Sequence, residues 1–109
     1  MKRGEVYWHR FPKPNKRRPV LVLTRSLLLP HLHTVTVAAI SRTVRDVASE
    51  VRLGPEVGLP EPCAANLHNT FTLAKAELGP FVTALPVWIM TMVDRALVFA
   101  LGVGEAASD

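Results

Sequence analysis

Arg18, Ser41, Thr43, His9 and His68 are the side chains whose chemistry could combine at one site. Arg18 closes a basic run with Lys13, Lys16 and Arg17, and Pro19 and the apolar Val20, Leu21, Val22 and Leu23 follow at once. A planar, permanently charged guanidinium matches two phosphoryl oxygens together. A histidine, with an ordinary pKa of about 6.5, can take up or release a proton near neutrality. Serine and threonine hydroxyls hydrogen-bond and position. These are the parts of a metal-free RNA cleavage. A 2′-hydroxyl attacks the neighbouring phosphorus, a base accepts its proton, a cation neutralises charge on the phosphoryl oxygens, and a donor helps the leaving 5′-oxygen. Read from the residues alone, the basic run is equally a solvated turn. The candidate groups come from different segments, so only the fold can bring them together.

Other chemistries lack their parts. One cysteine, Cys63, and the scattered histidines supply no zinc pattern, and the His31/His33 pair reads as an exposed loop. There is no phosphate-cradling glycine loop, no nucleophile elbow and no acidic cluster for magnesium, so no cofactor or metal is expected. A lone cysteine excludes an intrachain disulfide. With no apolar leader at the N-terminus, this points to the cytoplasm, and the apolar stretches are too short to span a bilayer. The net charge of +4 is unevenly spread. Residues 1–45 carry ten cations, among them Arg10, Arg17, Arg18 and Arg42, against one acid, Glu5, and residues 46–109 are mildly acidic. That asymmetry suits an anionic partner, a nucleic acid or an acidic protein.

The elements that must position these groups are mostly strands. Gly4–Phe11 mixes aromatic and alternating residues, and Arg18–Arg25 holds an apolar run suited to a strand buried on both faces, with Pro19 at its first position. Ser26–His33 reads as a loop with one helical turn. Thr34–Ile40, Val47–Leu53, Cys63–Leu67 and Asn69–Leu73 read as strands, Ala74–Leu78 as a single helical turn stopped by Gly79–Pro80, and Phe81–Leu85 as a short extended piece. The period then changes. Ile89, Val93, Ala96, Leu97, Ala100 and Leu101 mark one face of a helix with Pro86 at its first position and Gly102 as its C-cap. Trp88, Met90 and Met92 make that helix apolar on a second side, which fits a subunit contact or, more commonly, a greasy core helix. At 109 residues the chain is expected to be one domain, 1–109, with a frayed tail at 103–109. Its class is α+β, mainly β with a C-terminal helix, and strongly curved in the manner of a small barrel.

The order of the blocks is more specific than any one of them. Arg3-Gly4-Glu5-Val6-Tyr7-Trp8, Arg18 to Thr24, Thr34 to Ser41, Val47 to Val51, Asn69 to Leu73 with Leu78-Gly79, and Val93 to Leu97 with Ala100-Leu101-Gly102 resemble the MazF/PemK family of toxins over about residues 3 to 103. The resemblance implies an SH3-like barrel of the MazF/Kid/CcdB type and a homodimer whose active surface both subunits form. It implies a sequence-specific, metal-independent endoribonuclease that cuts single-stranded RNA through a 2′,3′-cyclic phosphate. It also implies a MazE-like antitoxin that covers the RNA surface. Carried over by position, Arg18 matches the catalytic arginine and Ser41 stands where the family usually has a threonine, with Thr43 its nearest substitute. Arg10, Lys13, Lys16, Arg17, Arg42 and Asn69 are the expected RNA-binding positions. Two departures stand out: the loop before Arg18 has no acid, and His68 replaces a frequent aspartate. Proton transfer is therefore expected from His68 or His9. Tyr7, Trp8, Phe11 and Phe71 are available to stack on bases or to fill the core, and the loops Ser26–His33 and Arg42–Asp46 to set specificity. Two rivals remain: a gyrase-inhibiting poison of the same fold and a non-catalytic RNA-binding module.

Overall fold

Side-chain alternation along the strands sorts this chain into two cores on opposite faces of one sheet. The computed structural model describes residues 1–12 and 16–105. Its strands are β1 (Glu5–Arg10), β2 (Arg17–Val22), β3 (Thr34–Ser41), β4 (Glu50–Leu53), β5 (Cys63–Ala74) and β6 (Phe81–Ala84), and one helix, α1 (Val87–Leu101), follows. Single 3-10 turns lie at Leu29–His31, Pro55–Val57 and Lys75–Glu77. The six strands form one antiparallel sheet in the order β4-β5-β3-β2-β1-β6. The sheet curls into a half-barrel, and Thr83 Oγ1 on β6 donates 3.0 Å to the Val57 carbonyl beyond β4, linking the two edges.

The inner face carries Val6, Leu21, Leu23, Ala38, Ile40, Val51, Leu53, Ala65 and Leu67 and closes on Ile89, Val93 and Ala96 of α1. The outer face carries Val20, Val22, Val35, Val37, Leu29 and Leu73 under Tyr7, Phe11, Phe71 and Leu78. The run Val20 to Leu23 is thus buried on both faces, which is why it is continuously apolar. Each such aliphatic side chain contributes roughly 1.5–3 kcal/mol by leaving water.

The strands and the helix stand where the periodicities place them, with local differences. β2 includes Arg17 and ends at Val22, because Thr24 Oγ1 takes the Thr36 N–H and ends the ladder. Val47–Ser49 is a turn, since Asp46 adopts φ 57° and breaks the extended run. Glu50 Oε1 accepts the Arg45 and Asp46 N–H groups at 2.9 and 3.0 Å, so the loop's donors are satisfied without a ladder. Cys63–Leu67 and Asn69–Leu73 are one strand. Ala39 pairs with Asn66 while Ala38 pairs with Thr70, so Leu67, His68 and Asn69 form a bulge that buries Leu67 and exposes His68 and Asn69. Pro86 is the N-cap, with ψ 162°, and the helix starts one residue later. Gly102 closes it at φ 68°, and Val103 N–H returns to the Val98 carbonyl at 3.1 Å, a turn whose left-handed position glycine fills without strain.

Candidate active site

Strand register decides which side chains share a face. His9 pairs with Arg18 across β1 and β2. Val20 pairs with Ala39 across β2 and β3, so Arg18 and Ser41, each two residues from that pair along its strand, lie on the same side of the sheet. His9, Arg18, Ser41, Ala39 and Asn66 therefore project from one face near the end of the sheet. Pro19 follows Arg18 at the start of the buried run, so the arginine is half-buried on a stiff stem. Its guanidinium has no hydrogen-bond or ion-pair partner among the described residues.

Two hollows meet at Arg18, Ile40, Ser41 and Arg42. The first, about 230 Å³, adds Trp8, Lys16, Arg17, Pro19, Leu59, Pro60, Glu61 and Cys63. Its wall is aromatic and apolar, and the Arg17 guanidinium lies 4.4 Å from the centre of the Trp8 ring. The second, about 400 Å³, adds Phe11, Ala39, Thr43, Asn66 and Asn69 and is more amide-rich. Ser41 Oγ accepts the Thr43 N–H at 3.1 Å, which fixes the hydroxyl as the chain leaves β3. Arg42 reaches Glu61 at 3.8 Å, an exposed pair of little energetic weight.

The structure thus brings together Arg18, Ser41, Thr43, Arg42, Lys16, Arg17 and Asn69. His68 is outside both linings, its Nδ1 2.6 Å from Ser49 Oγ. His9 is likewise outside both linings: it shares Arg18's face but packs edge-on to Phe11, with ring centres 4.8 Å apart, and its Nδ1 lies 3.4 Å from the Glu77 carbonyl. Arg10 is exposed at the end of β1, away from both hollows. Lys13 lies outside the described residues. Of the aromatics, Trp8 and Phe11 line the hollows, while Tyr7 and Phe71 pack on the outer core. Sequence reasoning missed Asn66 and, behind it, Glu50. The one available signal was a polar residue inside the small, apolar run Cys63-Ala64-Ala65-Asn66-Leu67.

Cys63 lines the first hollow but offers no thiolate. Burial, with Glu61 and Glu56 nearby, pushes its thiol up to about 11. Among the described residues no three His, Cys, Asp or Glu side chains cluster as metal ligands.

Comparison with known proteins gives the same architecture a family. Residues 2–101 match the model of the PemK-like, MazF-like toxins of type II toxin–antitoxin systems. The chain is 39% identical over 88 residues to endoribonuclease MazF3 of Mycobacterium tuberculosis, covering 81% of this chain and 82% of that one. Among solved structures it is similar to the Mycobacterium tuberculosis toxin MazF-mt6, with 34% identity, a TM-score of 0.82, and 90% and 96% of the two chains covered. It is also similar to a mycobacterial endoribonuclease in complex with its cognate antitoxin, with 27% identity, a TM-score of 0.85, and 94% and 96% covered.

Proposed function

The chain belongs to the PemK-like, MazF-like toxins of type II toxin–antitoxin systems, and from that premise we propose that it is an endoribonuclease toxin that cuts single-stranded RNA at specific sequences without a metal. The observation that carries this reading is Arg18: an unpartnered, half-buried guanidinium held beside Ser41 where two hollows meet. A phosphodiester seated there has its non-bridging oxygens against the Arg18 fork and the Ser41 hydroxyl. The 2′-hydroxyl of the preceding nucleotide attacks phosphorus and the P–O5′ bond breaks. The products are a 2′,3′-cyclic phosphate and a free 5′-hydroxyl. The 2′-proton goes to a base and the 5′-oxygen receives one. His9, the cross-strand partner of Arg18, is the histidine best placed in register for this exchange, whereas His68 is engaged by Ser49. Lys16, Arg17, Arg42 and Asn69 add charge and hydrogen bonds around the path, with Arg10 and Lys13 as outer steering charges.

The same reading extends to partners. The basic cleft is a fit for an acidic antitoxin segment, and a relative's structure is of an endoribonuclease with its cognate antitoxin. We take residues 1–109 as one domain acting as a homodimer in the cytoplasm. The exposed stripe Trp88, Met92 and Phe99 on α1 supports the dimer. Among the described residues no helix is long and apolar enough to cross a membrane.

Purified protein incubated with a long RNA in EDTA tests the reading. Discrete fragments with 5′-hydroxyl ends are expected, and they should vanish with Arg18→Ala. Intact RNA would leave only a binding module, and fragmentation that persists in Arg18→Ala would remove Arg18 from the chemistry.

A further inference from the structure

Among the described residues, two buried side-chain polar atoms lack a hydrogen-bond partner: Asn66 Oδ1 and Glu50 Oε2. Their residues are direct partners across β4 and β5. An unpaired buried polar atom destabilises the fold, and such atoms are rare enough that two at one place call for a cause. Both atoms are acceptors, so they cannot satisfy each other as they stand. Since the two residues face each other in register, an Asn66 amide with Nδ2 toward Glu50 would give Oε2 a donor and leave Oδ1 on the opposite side. That direction is the second hollow, because Asn66 is 6% exposed and lines it together with Phe11, Thr43 and Asn69.

Glu50 cannot turn to accommodate a different amide orientation. Its other oxygen is held by the Arg45 and Asp46 N–H groups at 2.9 and 3.0 Å. The bulge at Leu67, His68 and Asn69 then brings a second amide, Asn69, to the same hollow. Ala39, between Val20 and Asn66 in the row, keeps the floor low. The result is a hollow that shares Arg18, Ser41 and Arg42 with the phosphate position and adds one aromatic side chain, two amides and the Thr43 hydroxyl. With Asn66 Nδ2 toward the Glu50 carboxylate, the most enclosed polar group would present an acceptor to the hollow.

We propose that this hollow is a nucleobase-reading subsite in which Asn66, locked by Glu50, accepts a hydrogen bond from the amino group at C6 of adenine or C4 of cytosine, the position where guanine and uracil carry a carbonyl oxygen. The subsite therefore favours adenine or cytosine over the keto bases guanine and uracil at one position beside the cut. Phe11 supplies the stacking face and Asn69 and Thr43 supply the remaining edge contacts. Glu50 acts as a positioning residue, through the orientation it imposes on Asn66. The proposal rests on the ribonuclease reading for the position of the phosphate, and its test is kept independent of cleavage.

A random pool of 2′-O-methyl RNA can be bound but cannot be cut, since the attacking hydroxyl is blocked. Sequences retained by the wild-type protein are expected to be enriched for adenine or cytosine at one position, by roughly fivefold for one good hydrogen bond. Asn66→Ala should lose that enrichment and keep it elsewhere. Glu50→Gln keeps an oxygen for the loop but can face Asn66 with either its own oxygen or its nitrogen, so enrichment at the same position should relax. Replacing adenine by inosine in the selected sequence swaps amine for carbonyl and should weaken wild-type binding by a similar factor and Asn66→Ala binding not at all. Thermal melting of each variant shows that it is folded. Equal enrichment in all three proteins, a keto preference in the wild type, or indifference to inosine overturns the proposal. Cleavage of unmodified RNA, assayed separately, bears on the ribonuclease reading alone.

Discussion

At the scale of single residues, Arg18 and Ser41 are separable from their neighbours by what each can do. Lysine at position 18 keeps the charge but loses the fork, so Arg18→Lys is expected to lower kcat by about 10²-fold or more, close to Arg18→Ala, in a single-turnover cleavage assay. Ser41→Thr keeps the hydroxyl that takes the Thr43 N–H and should stay within about tenfold of wild type, whereas Ser41→Ala loses both the hydroxyl and that turn contact. Tyr7 gives a pH dependence of stability. Burial, and then the neighbouring Glu5 whose Oε1 accepts from its hydroxyl at 2.7 Å, raise its pKa to about 12 from 10.0. The fold holds the neutral phenol better than the unfolded chain does. Its contribution is complete below about pH 10 and is lost as pH rises towards about 12. Denaturant titrations at pH 9 and pH 11.5 should show that loss in the wild type and a smaller one in Tyr7→Phe. The place of Arg18 was legible in the sequence because a cation before proline and an apolar run falls at the mouth of a buried strand, but the residues alone left its run equally a solvated turn. Asn66 and Glu50 were not. Their meaning comes from being opposite one another, and pairing between segments 16 residues apart cannot be read from either segment.

Among elements, β5 carries the most local information. Its bulge converts a run that alternates simply into one that buries Leu67 while turning His68 and Asn69 outward. The sequence reading put a break at His68, between the strands Cys63–Leu67 and Asn69–Leu73, but the ladder resumes at Thr70 and the strand is continuous. The reverse happened at Val47–Ser49, where alternation suggested a strand. There a side chain, Glu50, takes the backbone donors instead, and Arg52 hydrogen bonds at 2.8 Å keep the Asp46 carboxyl below its usual range. Helix α1 was legible almost in full, since a 3.6-residue period over four turns has no competing reading. The closure of the half-barrel was not, because it depends on Gly58. That residue has φ 95°, and a Cβ there would meet the Thr83 side chain, whose hydroxyl bonds the Val57 carbonyl. Gly58→Ala is expected to cost about 1–3 kcal/mol, read as a lowered melting temperature, from strain at that φ and displacement of Thr83. At Gly79 the constraint is close approach: an added Cβ would stand 3.0 Å from the Trp8 carbonyl, which the Gly79 N–H already holds at 2.7 Å.

For the whole molecule, charge and apolar surface divide the labour. The apolar stripe on α1, with Trp88 61% and Phe99 62% exposed, lies on the helix face turned from the core residues Ile89, Val93 and Ala96. If it pairs two copies, analytical ultracentrifugation of the wild type gives a dimer mass and Trp88→Asp with Phe99→Asp gives a monomer that still melts cooperatively; a wild-type monomer at tens of micromolar would reject the pairing. The cations sort differently. Lys16, Arg17, Arg18 and Arg42 line the hollows, whereas Arg3 is spent inside the fold, on Asp94 at 2.8 Å and the Leu23 carbonyl. Each phosphate neutralised on a single strand contributes about 0.7 to the slope of log affinity against log salt. Four cleft cations on phosphates predict a slope of about −3 per subunit for an uncleavable RNA, and three of them, with Arg17 kept on Trp8, a slope of about −2. Arg17 supplies the internal control, because its guanidinium already rests on Trp8. If it stays there as a stacking surface, Arg17→Ala weakens binding by a similar factor at every salt concentration and leaves the slope unchanged, while Lys16→Ala lowers the slope by about 0.7. A slope that falls equally in both variants would return Arg17 to the phosphates, where its place in the basic run first put it.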